Sequence, residues 1–240
     1  MKRSLVQLRA EIMLIARNGE QLLLTLVIPV VLLAFFGSVD VLPVVGDDPM
    51  AFLVPGVIAV AVMSTSMVSL GIATGFERSY LVLKRLGATP LGRGELVAAK
   101  VASVFLVELV QLAVLVPIAF LLGWDPRIDL VLLALPAILL GSAAFAGIGL
   151  LLAGGLRAEL NLAAQNGLYL LLLLLGGMII PRDSLPAGVG SVSAALPSTA
   201  LADLLRTSFA GSGRIAGPML VLAVWAVVAP LVAARRFRWS

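Results

Sequence analysis

The sequence predicts an all-helical integral membrane protein with six membrane-spanning helices. Of its 240 residues, 61% are hydrophobic and 12% are charged, whereas about a quarter of the residues in soluble domains are charged. The mean hydropathy is +1.12. Apolar runs of about 20 residues, the length that crosses a bilayer, recur along the chain. Six such runs with short loops leave no room for an ordinary soluble domain, so residues 1–240 are predicted to form one transmembrane domain.

The first segment, residues 1–19, predicts an amphipathic helix. Leu5, Leu8, Ile12 and Ile15 recur at helical spacing on one face, and charged residues occupy the rest of the segment. The segment carries too many charges to cross the bilayer. We therefore expect it to lie in the membrane interface.

The six predicted spans follow in order. The first is free of charge, the second is long enough to tilt, and the third is interrupted only by Glu108 and Gln111. The fourth ends at a tight turn, the fifth precedes a longer polar segment, and the sixth precedes a basic tail. They are residues 21–39, a part of 49–76, 101–122, 130–154, 160–180 and 215–234. The longer polar segment, 181–213, is predicted to be extracellular.

The distribution of basic residues predicts the orientation of these spans. The side that holds both termini and the loop after the second span carries thirteen Lys and Arg residues, and the other side carries four. All seven Asp residues fall on that other side. Because cytoplasmic loops are enriched in Lys and Arg, both termini are predicted to be cytoplasmic, in the inner membrane of a bacterial cell.

The loop after the second span, residues 76–95, is the longest charge-dense interval between apolar runs. From Glu77 to Leu86 its apolar residues recur at helical spacing, and Gly87 with Pro90 would end the helix. A short, exposed amphipathic helix suits docking into a groove on a cytoplasmic partner. A basic loop that only fixes topology is the alternative, and composition alone leaves both open.

Motifs in this loop and in the outer segment carry a resemblance to a known family. The loop reads Phe76-Glu77-Arg78, Leu83-Lys84-Arg85-Leu86, Thr89-Pro90, then Arg93, Glu95-Leu96 and Lys100; the outer segment has Leu185-Pro186, Leu196-Pro197-Ser198-Thr199-Ala200, Asp203 and Arg206. In order and placement they resemble the type-2 ATP-binding-cassette (ABC) exporter permeases, in particular the transmembrane subunits of the daunorubicin-resistance type. The chain departs from that pattern at Leu81 and Val82, where a Gly-Thr pair is usual, and at Ser198 and Ala200.

The resemblance implies partners and sites. Two cytoplasmic ABC ATPase subunits would bind ATP and magnesium, and a second permease half, identical or homologous, would complete the pathway within membrane lipid. The loop would be a coupling helix that contacts the ATPase through Glu77, Arg78, Leu83, Lys84, Arg85 and Leu86. The outer segment would be a re-entrant helical hairpin that includes Pro186, Pro197 and Arg206.

The residue inventory argues against chemistry in this chain. It has no Cys and no His, which excludes thiolate and imidazole sites. An intramembrane hydrolase would need a Ser-Lys or paired-Asp site, and none is evident because no predicted span contains Asp and the only lysines are Lys2, Lys84 and Lys100. We therefore predict no catalytic residue, cofactor or metal site. Residues 87–94 have the glycine spacing of a phosphate loop, but Arg93 and Gly94 replace its Lys and Ser/Thr. The basic residues are dispersed among loops, which argues against nucleic acid.

Four polar residues lie within predicted spans. Glu108 and Gln111 share a face of the third span, and Asn161 and Gln165 share a face of the fifth. A carboxyl group costs roughly 2.5 to 3.5 kcal/mol in a span, so Glu108 is expected to face protein or a wet cavity. Each pair could contact substrate or a proton, or could form hydrogen bonds between helices.

We therefore expect the transmembrane subunit of an ATP-driven exporter for a hydrophobic or amphipathic small molecule, such as a drug, an antibiotic or a lipid. Permeases for polysaccharide or haem-related export share the architecture and remain alternatives. An ATP-independent, proton-coupled carrier that uses Glu108 is another, although the chain lacks the internal repeat that such carriers often contain.

Overall fold

The computed structural model describes residues 2–38, 49–179 and 187–237. Every regular element within these ranges is a helix. We number them in chain order: α1 Lys2–Arg17, α2 Gly19–Ser38, α3 Pro49–Ser79, α4 Val82–Gly87, α5 Arg93–Leu121, α6 Val131–Gly155, α7 Ala158–Leu175, α8 Ala187–Ser193, α9 Pro197–Ala210 and α10 Ala216–Arg236. Within α3, residues Ser64–Ser69 form a π-helix, and α6 begins with a short 3-10 turn at Val131–Leu133.

Five of these helices, α3, α5, α6, α7 and α10, are long and apolar enough to cross a membrane. They correspond to the second to sixth predicted spans. The first predicted span, residues 21–39, overlaps α2, Gly19–Ser38. Helix α2 is not among the five candidate spans, so a sixth span stays a prediction.

Helices α3 and α6 form the centre of the bundle. The most apolar window of α3 is 78% buried, whereas those of α7 and α10 are only 22% and 17% buried. Helix α6 packs against α3, α5, α7, α9 and α10. Glycines allow this close packing, since a Cβ at Gly147 would lie 2.4 Å from the backbone nitrogen of Pro230, and one at Gly149 would lie 2.5 Å from the carbonyl of Met67.

The predicted single helix from Glu77 to Leu86 is wrong. Helix α3 continues through Glu77 and Arg78 to Ser79, the chain turns at Tyr80 and Leu81, and a separate helix α4 begins at Val82. The turn is sharp because Leu81 takes the left-handed conformation, with φ 61°. The third span also begins earlier than predicted, at Arg93, where the Glu95 carboxylate accepts a hydrogen bond from the Gly92 amide at 2.9 Å and caps α5.

Helix α1 forms as predicted, but its polar face is the one that packs against protein. Gln7 and Glu11 are buried, whereas Leu5 and Ile12 are exposed, and α1 lies against α5. The exposed apolar side is the side available to lipid. The sequence pattern predicts the amphipathic helix but not the buried partner of Glu11, because Lys100 is distant in the sequence.

The outer segment contains two helices, α8 and α9, joined by a turn at residues 194–196. Pro186 lies outside the described residues. Pro197 is buried at the first turn of α9, where proline fits because the amide that it lacks would have no partner within the helix. Helix α9 packs against α3, α6 and α10, so this segment is integrated into the bundle.

Candidate coupling site and polar clusters

Helix α4 presents a charged, partly apolar surface. Lys84 and Arg85 are exposed, and so are three residues at its start, Tyr80, Leu81 and Val82. We call these five residues the coupling surface. Apolar anchors beside basic groups form a docking face of the kind that protein partners bind.

Leu83, predicted as an anchor of this surface, points the other way. It is fully buried in a small apolar cluster with Leu96 of α5 and Phe237 at the end of α10. Leu86 is half-buried and packs on the same cluster. Leu83 therefore holds α4 to the bundle, and its replacement by a charged residue would disrupt packing before it tested partner binding.

Glu77, the first residue of the predicted coupling motif, belongs to a buried ion cluster. The Lys100 ammonium of α5 donates to both carboxylate oxygens of Glu77, at 2.8 and 3.1 Å, and to Glu11 Oε2 of α1 at 3.0 Å. The amide of Gln7 donates to the remaining oxygen of Glu11 at 2.8 Å. We call Glu11, Glu77 and Lys100 the triad.

The triad joins three elements at the base of the coupling segment. The Lys100 side chain is 1% exposed, that of Glu11 is 6% and that of Glu77 is 20%. All three ammonium protons and all four carboxylate oxygens have partners, which a buried ion cluster needs to offset desolvation. The triad therefore fixes α1 and the last turn of α3 relative to α5. Sequence analysis did not predict the triad, because its three residues lie far apart in the sequence.

Arg78 also faces the bundle. Its Nη1 donates to the carbonyl of Ala153, in the last turn of α6, at 2.9 Å. That carbonyl is among those that a helix leaves without a partner at its C-terminus. Glu77 and Arg78 thus attach the end of α3 to two neighbouring helices, and only Lys84 and Arg85 of the four predicted charged residues belong to the coupling surface.

Glu108 and Gln111 both face protein. The Ser142 hydroxyl of α6 lies within hydrogen-bond reach of Glu108 Oε2, and Oε1 of the same carboxyl group is buried with no partner among the described residues. The Gln111 side chain accepts from Thr65 Oγ1 at 3.1 Å and donates to the carbonyl of Thr25 at 2.8 Å. Gln111 therefore links α5 to the π-helical segment of α3 and to α2.

Asn161 and Gln165 form a polar seam between α7 and its neighbours. Asn161 Nδ2 donates to the carbonyl of Gly71 at 2.9 Å, and Gln165 Nε2 donates to the carbonyl of Gly149 at 2.9 Å and to Asn161 Oδ1 at 3.2 Å. A Cβ at Gly71 would lie 2.0 Å from Gln165 Nε2. The glycine of α3 therefore makes room for the amide of α7.

Arg206 lies in α9, within the segment predicted to be extracellular. Its Nη2 donates to the carbonyls of Gly177 and Met178, at 2.6 and 3.0 Å, and its guanidinium lies 3.9 Å from the centre of the Phe52 ring. Burial lowers the pKa of Arg206 to about 10, so it remains charged at neutral pH. It ties the outer segment to the end of α7 and to α3.

A cavity of about 400 Å³ opens between α2, α3 and α7. Its polar lining includes Thr25, Ser64 and Ser69, and the half-buried Tyr169 lines it from α7. Ser64 and Ser69 are the two ends of the π-helical segment, a feature often found at functional sites. We call this the α2/α7 cavity.

Comparison with known families decides the identity of this bundle. The family model described as ABC-2 type transporter matches residues 5–210, from within α1 to the end of α9. The chain belongs to the ABC-2 type transporter family. A search of curated proteins found no match. The chain is thus a multi-pass ABC-2 permease, the transmembrane component of its transporter. The ABC-2 permease domain has no ATPase site, and such permeases pair with ABC ATPase subunits.

Proposed function

We propose that this ABC-2 permease is half of the transmembrane unit of an ATP-driven exporter for hydrophobic or amphipathic small molecules, a drug, an antibiotic or a lipid. The subtype is that of the daunorubicin-resistance permeases, which the loop and outer-segment motifs resemble. Helix α2 is the first of six spans, and both termini face the cytoplasm of the cell that holds the permease in its inner membrane. The ATP and magnesium sites belong to two partner ATPase subunits.

The observation that carries this proposal is that α4, in the loop after α3, is exposed on one side and packed against the bundle on the other. Tyr80, Val82, Lys84 and Arg85 are exposed, while Leu83 fixes α4 to the bundle. A helix that packs against the bundle on one side and contacts a partner on the other can transmit a movement of that partner to the transmembrane helices. The triad at its base connects that motion to α1, α3 and α5.

The second permease half, in this proposal, covers the face formed by α2 and α7. Half of the α7 residues are exposed, and Asn166 is one of them. Its Nδ2 donates to the carbonyl of Leu162 in the same helix at 2.9 Å, and a partner helix would supply hydrogen bonds to the rest of this amide, which is costly in hydrocarbon. The α2/α7 cavity opens on this face, and its hydroxyl groups and apolar walls suit an amphipathic substrate.

The outer segment shapes the exit of this pathway. Helices α8 and α9 form the re-entrant hairpin, and Arg206 holds it to the end of α7 through the carbonyls of Gly177 and Met178. Gln111, Asn161 and Gln165 serve as contacts between helices, because each donates to a backbone carbonyl of another helix. Glu108 has the same role with Ser142.

Transport in inside-out vesicles tests the function. The permease is produced with its ATPase, and uptake of a lipophilic fluorescent dye and of a fluorescent phospholipid is measured with ATP or with a pH gradient alone. We expect ATP-driven uptake of at least one probe. The Lys84→Glu, Arg85→Glu double variant should lose it, because two charges of the coupling surface are reversed, and Glu108→Gln should retain it.

The matched control is Arg127→Glu with Arg214→Glu, which reverses two exposed charges in loops at the opposite end of the bundle. This control should transport like the wild type. Uptake driven by a pH gradient without ATP, and abolished in Glu108→Gln, would replace the exporter with a proton-coupled carrier.

A further inference from the structure

A basic cavity lies where the ends of α5, α6 and α10 meet. It has a volume of about 790 Å³ and is lined by the guanidinium-bearing residues Arg93, Arg235 and Arg236. No acidic residue lines it, and none of the three arginines forms a salt bridge with a described residue. All three are exposed. The cavity therefore gathers three positive charges from two helices without a counter-charge.

The opposite wall of this cavity is apolar. It consists of the last turns of α6, including Leu151, Leu152 and Leu156, with Gly154 and Gly155. Leu151 and Leu152 belong to a candidate membrane span. The cavity therefore has apolar residues of a candidate membrane span on one side and the guanidinium groups at the helix ends on the other. A molecule with an anionic head group and an apolar tail is complementary to both.

We propose that this cavity binds an anionic phospholipid of the cytoplasmic leaflet. Guanidinium groups bind phosphate oxygens in a bidentate manner, and basic pockets between the cytoplasmic ends of spanning helices bind acidic head groups. The acyl chains lie along Leu151 and Leu152. The proposal rests on the orientation given above, which places these helix ends at the cytoplasmic leaflet.

The lipid would also act on the coupling helix. Phe237 lines the cavity on one side and packs against Leu83 of α4 on the other. Gly154 fits closely beneath it, since a Cβ there would lie 3.3 Å from Phe237 Cδ2. A lipid bound by Arg235 and Arg236 would restrain the end of α10. It would thereby stabilise the position of Phe237, against which Leu83 of α4 packs.

Native mass spectrometry of the full-length permease, in mixed micelles with equal phosphatidylglycerol and phosphatidylcholine, tests the site. We expect the wild type to retain phosphatidylglycerol preferentially. A triple variant, Arg93→Gln, Arg235→Gln and Arg236→Gln, should retain it at least about tenfold less, because each basic residue contributes roughly fivefold at an anionic surface. Replacement of the same three residues by Lys keeps the charge but not the bidentate geometry, and should restore the retention only in part.

The control removes three other exposed charges predicted to lie on the same side, Arg9→Gln, Arg17→Gln and Arg157→Gln. It should change retention by less than about threefold. Equal loss in both triple variants would mean that the arginines act only as a diffuse basic surface and would overturn the proposal. So would displacement of the lipid by an equal concentration of inorganic phosphate, since the site would then not recognise the acyl chains.

Lipid retention is measured without ATP, substrate or ATPase. Its failure would therefore leave the exporter function standing. Failure of ATP-driven uptake, in turn, would leave the lipid site standing if retention behaved as expected.

Discussion

At the scale of single residues, the structure shows that several charged residues of the loop motif are structural. Glu77 and Arg78 were expected to touch the ATPase, yet the first completes the triad and the second donates to Ala153. Sequence alone predicted that these residues lie near the cytoplasmic end of α3. It could not predict their direction, because Lys100 and Glu11 are distant in sequence and a charge near a helix end usually points to water.

Lys100→Met is predicted to destabilise the permease by about 3 to 5 kcal/mol. It removes the only ammonium that faces Glu11 and Glu77 in the triad, and the buried carboxylate of Glu11 and the half-buried carboxylate of Glu77 then lose their cation. Thermal unfolding in detergent measures the effect. The exposed Lys84→Met is the control and should leave the unfolding temperature unchanged. Adding Glu11→Leu and Glu77→Leu to Lys100→Met should recover most of the lost stability. An unfolding temperature of Lys100→Met equal to that of the wild type would contradict a stabilising role of the triad.

Leu81→Gly is predicted to stabilise the turn before α4 by about 0.5 to 1 kcal/mol. A left-handed conformation costs a side-chain-bearing residue about 1 to 2 kcal/mol, and Leu81 adopts φ 61°. Glycine avoids that cost but loses more entropy on folding. Leu81→Ile should lower stability, since a β-branched residue tolerates this conformation poorly. The unfolding temperatures of both variants are measured in the same detergent as that of the wild type. If Leu81→Ile unfolded at a higher temperature than Leu81→Gly, the backbone at Leu81 would have to relax out of the left-handed conformation.

At the scale of the helices, close contact between α3, α6 and α7 depends on pairing small residues with amides. Sequence analysis identified Asn161 and Gln165, which contact Gly71 and Gly75 of α3, as polar residues of a span. It did not predict that these residues meet, because the contacts of one helix face with another depend on the rotation of both helices. The structure joins the two observations into one seam.

Gly71→Ala and Gly75→Ala are predicted to lower stability by about 1 to 3 kcal/mol each. The new Cβ would lie 2.0 Å from Gln165 Nε2 in the first and 2.4 Å from Asn161 Nδ2 in the second, so each amide must move and lose a buried hydrogen bond. Gly217→Ala in α10 is the control, because nothing lies within 4 Å of its added Cβ. The control should be neutral or slightly stabilising. Equal unfolding temperatures for all three variants would show that the seam adapts without cost.

At the scale of the whole molecule, composition and hydropathy predicted most of the architecture. Five helices that are candidate spans lie close to the expected positions, because apolar length is a property of the sequence alone. The burial of α3 and the central position of α6 were not predicted, since both depend on which faces the other helices offer. The family match to residues 5–210 agrees with the loop motifs.

The orientation can be measured with single cysteines, because the natural chain has none. Lys84→Cys is predicted to react with a membrane-impermeant maleimide only in inside-out vesicles, and Ser212→Cys, exposed in the loop after α9, only in intact cells whose outer barrier has been permeabilised. The excess of basic residues on the side of Lys84 is the reason. Labelling of Lys84→Cys from the outside would reverse the topology and remove the coupling surface from the cytoplasm.

The most direct test of the central claim is site-specific photo-crosslinking from the coupling surface in living cells. A photoreactive amino acid is placed at Val82, at Lys84 or, as a control at the opposite end, at Ser212, and the adducts are identified by mass spectrometry of their peptides. We predict that positions 82 and 84 yield adducts with a peptide of an ABC ATPase subunit and that position 212 yields none. Absence of ATPase adducts from 82 and 84, in a permease that still transports, would contradict the assignment of α4 as the coupling helix.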